Sequence, residues 1–524
     1  MKLLRYFLAI IFILILKSCA NQQAPTGGPK DETEPKVKST TPPQNTINFK
    51  GDKITINFDE AIQLASSSES FFIIPTTKNP PHITSTKKSV TISFNEQLKE
   101  NTTYTLYFNK AIKDVTEGND VDQLTYTFST GPYIDSLNIK GNTKDLWKNK
   151  PEKDILVGLY DANDTSTISN AVPAYYSYTN EQGNFELKYI KEGTYNIFAL
   201  KDENRNMKYD QEKETIGFLK NLNLKKDTTG VNLLMSRIDT TGPRIKETTN
   251  APGKYIITFT EGLVDVTIDN NTILYKQDDK KSKLELYDPR SINDSISIKI
   301  TARDSLNNTS VIDHKFTFKP LKKGEKYLPL LASIAPAEII NPYKPELKME
   351  FNYPVKEVRE PLKYSVAGKT IQPKETWNES KTRFTIQPTV NQGDTLQIII
   401  PDSTFISVYQ ISNTADTIRT KVNQESEYGT VEGKVLHDNM NFQVQLVNSG
   451  TFEVVQVINN KTDFQFTGVT PGEYFIRIVW DVNKNGFWDQ QSIEENIKAE
   501  PVMFHKELIK VKANWEIKGI ELRL

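Results

Sequence analysis

Near the end of the chain, Pro471-Gly472-Glu473-Tyr474-Phe475-Ile476-Arg477-Ile478-Val479-Trp480 runs directly into Asp481-Val482-Asn483-Lys484-Asn485-Gly486-Phe487-Trp488-Asp489. The same arrangement stands far upstream, as Glu192-Gly193-Thr194-Tyr195-Asn196-Ile197-Phe198-Ala199-Leu200-Lys201 followed by Asp202-Glu203-Asn204-Arg205-Asn206-Met207-Lys208-Tyr209-Asp210. Each copy is a turn glycine, an alternating strand that opens with tyrosine, and an acidic loop of pattern D-x-N-x-N-x-x-x-D. Two copies of so specific an arrangement mark a duplicated module. The modules, at 133–238 and 428–524, fix where other domains must lie.

The chain has 524 residues, room for roughly three to five domains. Short alternating runs of Tyr, Phe, Thr, Ile and Val, punctuated by Gly and Pro, favour strands over helices. No stretch beyond the N-terminal apolar run has helical periodicity with caps. The formal net charge is −1, so there is no basic footprint for nucleic acid. The single cysteine, Cys19, excludes an internal disulfide, and the four histidines stand far apart, outside any metal-ligand spacing.

Residues 44–131 alternate as a β-sandwich does: Ile54, Ile56, Phe58; Val90, Ile92, Phe94; Tyr104, Leu106, Phe108; Tyr126, Phe128. The order of Phe58-Asp59-Glu60-Ala61-Ile62, Asn101-Thr102-Thr103-Tyr104-Thr105-Leu106, Ala111-Ile112-Lys113-Asp114 with Gly118-Asn119, and Tyr126-Thr127-Phe128-Ser129-Thr130-Gly131 resembles the SbsA-type bacterial Ig-like domain. Residues 239–320 and 326–425 echo it: Phe259-Thr260-Glu261-Gly262-Leu263 and Phe351-Asn352-Tyr353-Pro354-Val355 repeat the Phe58 segment, and Asp304 with Asn307-Asn308 repeats the Asp114 turn. Asp239-Thr240-Thr241-Gly242-Pro243 and the 319–324 segment read as linkers. The two repeat modules, with their Gly-x-Phe turn followed by a Gly-x-Tyr strand, resemble the transthyretin-like, carboxypeptidase-regulatory sandwich. About seven short strands are expected in each. The fold class is therefore all-β, a tandem of Ig-like and transthyretin-like sandwiches.

At the N-terminus, Lys2 and Arg5 precede an apolar run, Tyr6 to Leu16, of signal-peptide length. Leu16-Lys17-Ser18-Cys19 resembles the lipobox of bacterial lipoproteins, with Lys17 a departure from the usual residue. That resemblance implies cleavage after residue 18, diacylglyceride on Cys19 and a mature net charge near −4. Ala20 after the cysteine implies the outer membrane, its periplasmic or outer face left open. The stretch Pro25-Thr26-Gly27-Gly28-Pro29-Lys30-Asp31 resembles the lead-in of Bacteroidetes lipoproteins that carry this Ig-like domain. Residues 19–43, polar and poor in apolar side chains, are expected to be a flexible tether.

The acidic loops are the candidate site. Asp481, Asn483, Asn485 and Asp489 fall at positions one, three, five and nine of an EF-hand-like loop, with Gly486 at position six. Position twelve is Ser492, so Glu494 would have to complete the set. The first loop offers Asp202, Asn204, Asn206 and Asp210, but has Met207 in place of glycine and Lys213 at position twelve, leaving Glu212 or Glu214. Ca²⁺ is the hard cation such a loop would take; the rival reading is a turn whose side chains cap their own backbone. Asp followed by Ser or Thr and then an apolar residue or Thr, as at Asp135-Ser136-Leu137, Asp239-Thr240-Thr241, Asp294-Ser295-Ile296, Asp304-Ser305-Leu306, Asp394-Thr395-Leu396 and Asp416-Thr417-Ile418, resembles the O-glycosylation acceptor of exported Bacteroidetes proteins. Trp480, Trp488 and Trp515 offer either an exposed binding platform or a core residue with a loop cover.

No nucleophile elbow, phosphate loop or dinucleotide fingerprint occurs. The expected role is non-catalytic: a lipid-anchored envelope scaffold, spacer or interaction protein, held to the membrane by its N-terminal lipid and meeting an envelope protein or glycan. The alternatives are a glycan- or peptide-binding lipoprotein of nutrient uptake, and a hydrolase or enzyme accessory.

Overall fold

The computed structural model describes residues 31–523 apart from 66–70, 123, 164–167, 212, 279–280, 289–293, 320, 322, 325 and 437–440. Cys19 and the signal segment lie outside the described residues. Within those residues the only helical element is the 3-10 turn Glu425–Glu427, and every other regular element is a strand. The protein is all-β and multidomain, as the alternation predicts. No helix of the described residues is long and apolar enough to cross a membrane. The chain divides into two compact units. One comprises the described residues up to Thr143 with Glu152–Tyr209 and Phe218–Leu233; the other comprises Lys144–Pro151, Asp210–Gly217 and the described residues from Leu234 onward.

The first unit opens with a four-stranded antiparallel sheet, in the order Val37–Thr41, Lys53–Phe58, Ser89–Ser93, His82–Ser85. Its inner positions, Ile54, Ile56, Phe58, Val90 and Ile92, are at most 2% exposed. They pack on the Phe71–Ile74, Thr103–Phe108, Leu124–Ser129 sheet through Leu106, Phe108 and Phe128. The period-two pattern thus buries one face of each sheet against the other. Val37–Thr41, assigned to the tether, is an edge strand paired with Thr55–Phe58. Its side chains are mostly polar and exposed, because an edge strand is held by its backbone bonds and needs no apolar face.

The four-stranded sheet recurs twice in the second unit. Ile245–Ala251, Lys254–Phe259, Lys283–Tyr287, Leu274–Gln277 form one copy, and Ala332–Ala335, Leu347–Phe351, Arg383–Gln387, Lys374–Trp377 the other. In all three copies the strands, numbered in chain order, lie side by side as first, second, fourth, third. The two later sandwiches are braced to each other. Tyr287, wholly buried, belongs to the core of the 326–425 segment, although its chain position is in the segment before. Glu350 pairs with Lys276 at 2.9 Å and with Arg383.

The two modules share specific local contacts, although the second divides into a three-stranded and a five-stranded sheet. The first contributes seven strands to one sheet, ordered Tyr175–Tyr178, Leu156–Asp161, Gly193–Leu200, Thr215–Leu224, Thr228–Arg237, Leu137–Asp145, Asn184–Ile190. In it Gly141 lies opposite Phe185, and a Cβ there would meet the Val231 carbonyl at 2.0 Å. In the second module Gly433 lies opposite Phe464, and a Cβ would meet the Ile520 carbonyl at 2.3 Å. Tyr195 donates its hydroxyl to the Lys191 carbonyl at 2.9 Å, and Tyr474 to the Thr470 carbonyl at 2.8 Å. Glycine is required at 141 and 433 because two strands close over the same spot.

Candidate functional site

The strand Gly472–Asp481 buries Tyr474, Ile476, Ile478 and Trp480, then delivers the chain to its loop. The Asp481 carboxylate accepts the N–H of Asn485 at 3.0 Å and of Gly486 at 3.0 Å. Asn483 Oδ1 accepts Asn485 N–H at 3.0 Å, and Asn485 Oδ1 accepts Phe487 N–H at 2.9 Å. Both asparagines donate Nδ2 to Asp489 Oδ2, at 2.5 and 2.8 Å. The four expected residues therefore do come together, as a set of interlocked Asx turns. Gly486 sits at φ 90°, the left-handed turn that its position requires.

Glu500 is the residue the sequence reading missed. It is 9% exposed. One of its oxygens accepts Val482 N–H at 2.6 Å, and the other accepts Asp489 N–H at 3.0 Å. It closes the loop from eleven residues beyond Asp489, while Glu494 is exposed and Ser492 pairs with Ile497. No fixed-length loop pattern reaches Glu500; only its place just before the Val502–Phe504 strand, which pairs with Arg477–Val479, brings it back.

In the first loop Asp202 accepts Asn206 N–H at 3.1 Å and Met207 N–H at 2.7 Å. Met207 takes φ 58°, the left-handed region that Gly486 takes in the other copy. That placement costs a non-glycine residue about 1 kcal/mol. Asn204 Oδ1 accepts Asn206 N–H at 3.0 Å, and Asn206 Oδ1 accepts Lys208 N–H at 2.7 Å. Asp210 belongs to the second unit, where its N–H donates to Glu214 at 2.9 Å and Glu214 is 2% exposed. Glu212 lies outside the described residues.

A carboxylate cluster that the sequence reading did not assemble lies in the 239–320 segment. Oxygens of Asp239, Glu261 and Asp304 lie within 4.8 Å of one another. Burial, and then the charges of Asp239 and Asp304, push the Glu261 carboxyl up to about 7. Asp304 holds its own turn, accepting Leu306 N–H at 2.8 Å and Asn308 N–H at 2.9 Å, while Asn308 Nδ2 donates to the Asp239 carbonyl at 2.9 Å. The 44–131 segment repeats the plan. Asp114 accepts the N–H groups of Glu117, Gly118 and Asn119, and Asn119 Nδ2 donates to the Asp31 carbonyl at 2.9 Å. There Glu60 is raised by burial first and by Asp114 next. The signal was in the sequence, as the paired Phe-x-Glu and Asp-turn segments, but it reads there as a fold signature. The spacing of the triple is tighter than the roughly 5–9.5 Å that separates a glycosidase's two carboxyls.

The tryptophans part company. Trp480 is wholly buried, Trp515 is 52% exposed under Lys512, and Trp488 packs edge-on against Trp147 at 4.7 Å. Trp488 Nε1 donates to the Glu500 carbonyl at 2.9 Å, so it covers the loop base and joins no platform. Beyond it Gln491, 4% exposed, donates to the Ile216 carbonyl at 2.7 Å and to Ser236 Oγ at 2.9 Å. Asp239 N–H donates to Gln490 Oε1 at 2.8 Å. The 239–243 linker is thus pinned at its first residue.

A cleft of about 700 Å³ opens beside Tyr275 and is lined by Asn270, Gln277, Glu350, Asn378 and Arg383. Burial works to raise Glu350, but Lys276 and Arg383 outweigh it and hold the carboxyl below its ordinary range. A carboxylate held ionised by two cations is spent on the brace and is poorly placed to move protons.

The family model of the bacterial Ig-like domain matches residues 31–130. The fold and this match together define a multidomain β-sandwich protein with a bacterial Ig-like domain at its described N-terminal end. No curated protein matches the chain. Among solved structures it is similar to domains 1–6 of the surface layer protein SbsC, at 12% identity over 92% of this chain and 67% of that one, with a TM-score of 0.15. It is also similar to the major pilin subunit BcpA of Bacillus cereus, at 9% identity over 74% and 99%, TM-score 0.14. A third is the Bacteroides ovatus mixed-linkage glucan utilization locus protein SGBP-B in complex with mixed-linkage heptasaccharide, at 11% over 72% and 94%, TM-score 0.18. Likenesses this distant carry no argument about function.

Proposed function

We propose that the chain is a lipid-anchored, non-catalytic scaffold or spacer of the bacterial cell envelope, held at the outer membrane by acylated Cys19. The observation that carries the scaffold reading is the set of contacts that tie separate segments of the second unit to one another. Tyr287 is buried in the neighbouring core, Lys276, Glu350 and Arg383 form an ion cluster, and Gln491 is sunk between Ile216 and Ser236. Domains on free linkers move independently by default; these spend polar groups, Gln491 among them buried, on holding position. The anchor rests on Leu16-Lys17-Ser18-Cys19 alone. The transthyretin-like reading of the two modules is supported by their shared glycine crossing and tyrosine corner. Cross-linking in intact cells, followed by separation of the membranes, tests the role. The chain should sit in the outer-membrane fraction, linked to defined envelope proteins. Recovery as a soluble, unlinked protein would reject it.

A glycan-binding reading has one feature in its favour, the 700 Å³ cleft with a half-buried tyrosine and several amides. Calorimetric titration with soluble oligosaccharides decides it: heat abolished by Tyr275→Ala would establish the site, and no heat would remove it. Calcium at Asp481, Asn483, Asn485 and Asp489 is a further proposal, drawn from their spacing. Two carboxylates and two amides suit a weak site, with Kd on the order of 10⁻⁴–10⁻³ M. Saturating Ca²⁺ should raise the module's melting point by a few degrees over chelator. Equal melting, with no heat of binding, would leave a turn closed by its own hydrogen bonds.

A further inference from the structure

The strand Val454–Asn459 ends the sheet ordered Val454–Asn459, Asn441–Asn448, Gly472–Asp481, Val502–Phe504. It pairs with Asn441–Asn448 on one side, and among the described residues no strand pairs with the other. Its sequence, Val-Val-Gln-Val-Ile-Asn, has no charge, no proline and no glycine. Val454, Val455 and Val457 are 41%, 45% and 45% exposed.

Natural sheets guard such edges, because a row of open N–H and C=O groups is a template for another strand. This protein guards its other edge strands of five residues or more. Among described strands of five residues or more at a sheet end, Val37–Thr41, Asn184–Ile190, Ile245–Ala251, Leu263–Ile268, Thr309–Phe316, Asp463–Val469 and Glu516–Arg523 each carry at least one charged residue. Leu124–Ser129 is uncharged but covered: Asn45 N–H reaches the Thr127 carbonyl and Phe49 N–H the Ser129 carbonyl, both at 2.9 Å. Val454–Asn459 has neither protection. Only a bulge at Val454–Val455 interrupts it, leaving Gln456 to Asn459 regular.

We propose that this edge is a self-association surface, pairing antiparallel with the same strand of a second copy of the chain. The flanking charges select that occupant and that direction. Glu453 and Lys461, both exposed, stand four residues either side of Val457. An antiparallel pairing centred near Val457 carries the acidic end of each strand to the basic end of the other, twice over. Parallel pairing would set like charges together, which cross-strand contact penalises. The outward valines of the two copies then cover one another on the solvent face. The contact is isologous and closes at two copies, so it forms a dimer and does not propagate.

Sedimentation velocity of the detergent-solubilised full chain, over a dilution series, tests this. The wild type should pass from dimer to monomer on dilution. Val457→Lys should be monomeric at every concentration, with an unchanged melting point because the side chain faces solvent. Glu453→Lys or Lys461→Glu alone should weaken the dimer about tenfold, and the double exchange should restore it. A wild type that stays monomeric overturns the proposal. So does association that Val457→Lys leaves untouched, which would place the contact elsewhere, or a monomer that takes up only a different protein's strand.

Discussion

Glu500 shows how much one side chain can hold. Its two oxygens take the N–H groups of Val482, Asn483 and Asp489, and without them three donors of a partly buried loop lose their acceptor. Glu500→Ala should cost about 1–3 kcal/mol. Glu494→Ala, on the exposed stretch of the same loop, should cost under about 0.5 kcal/mol. Denaturant titration with a probe in the second unit measures both; equal effects would mean that Glu500 is not the clasp. Glu261 makes the complementary case. Its folded carboxyl titrates near 7, above the ordinary 4.5, so the folded state binds a proton that the unfolded chain has already released. Stability contributed by the protonated form is full below about 4.5 and is lost as pH rises through 7. Glu261→Gln, which cannot ionise, should flatten that decline, and melting at pH 5 and pH 8 should differ less than in the wild type. An unchanged pH dependence would place the decline in other groups.

At the scale of elements, the duplicated module is the part of the fold most open to reading. Alternation buries one face of a strand, and the tyrosine that opens each Gly-x-Tyr strand returns its hydroxyl to the turn four residues before it. Those features are local, so spacing reveals them. What spacing does not reveal is non-local: the return of Glu500, the packing of Trp147 on Trp488, and the approach of Asp239 to Glu261 and Asp304. Val37–Thr41 is hidden for a different reason, since a strand satisfied through its backbone alone leaves no apolar signature. The strictest element-level test is Gly433. A Cβ would meet the Ile520 carbonyl at 2.3 Å and the Phe464 ring at 2.7 Å, so the Gly429–Leu436 strand must shift against both neighbours. Gly433→Ala should cost about 1–3 kcal/mol or more, as overpacking does, and Gly141→Ala a similar amount in the first module. Gly450→Ala, whose Cβ would meet only the Asn448 side chain at 3.5 Å, should be near neutral and serves as the control.

At the scale of the whole molecule, three segments that share one four-stranded sheet order and a module that occurs twice make up nearly all the described chain. Polar contacts between separate segments of the second unit suit a part that must keep its geometry, and the envelope anchor proposed for it draws on the Leu16-Lys17-Ser18-Cys19 stretch. One acyl chain holds a protein to a bilayer only marginally, whereas two or more hold it firmly. Detergent phase partitioning of the wild type beside Cys19→Ala therefore tests the account at its centre. The wild type should enter the detergent phase and Cys19→Ala should remain in the aqueous phase with its fold intact. Equal partitioning of the two proteins would contradict the anchored scaffold.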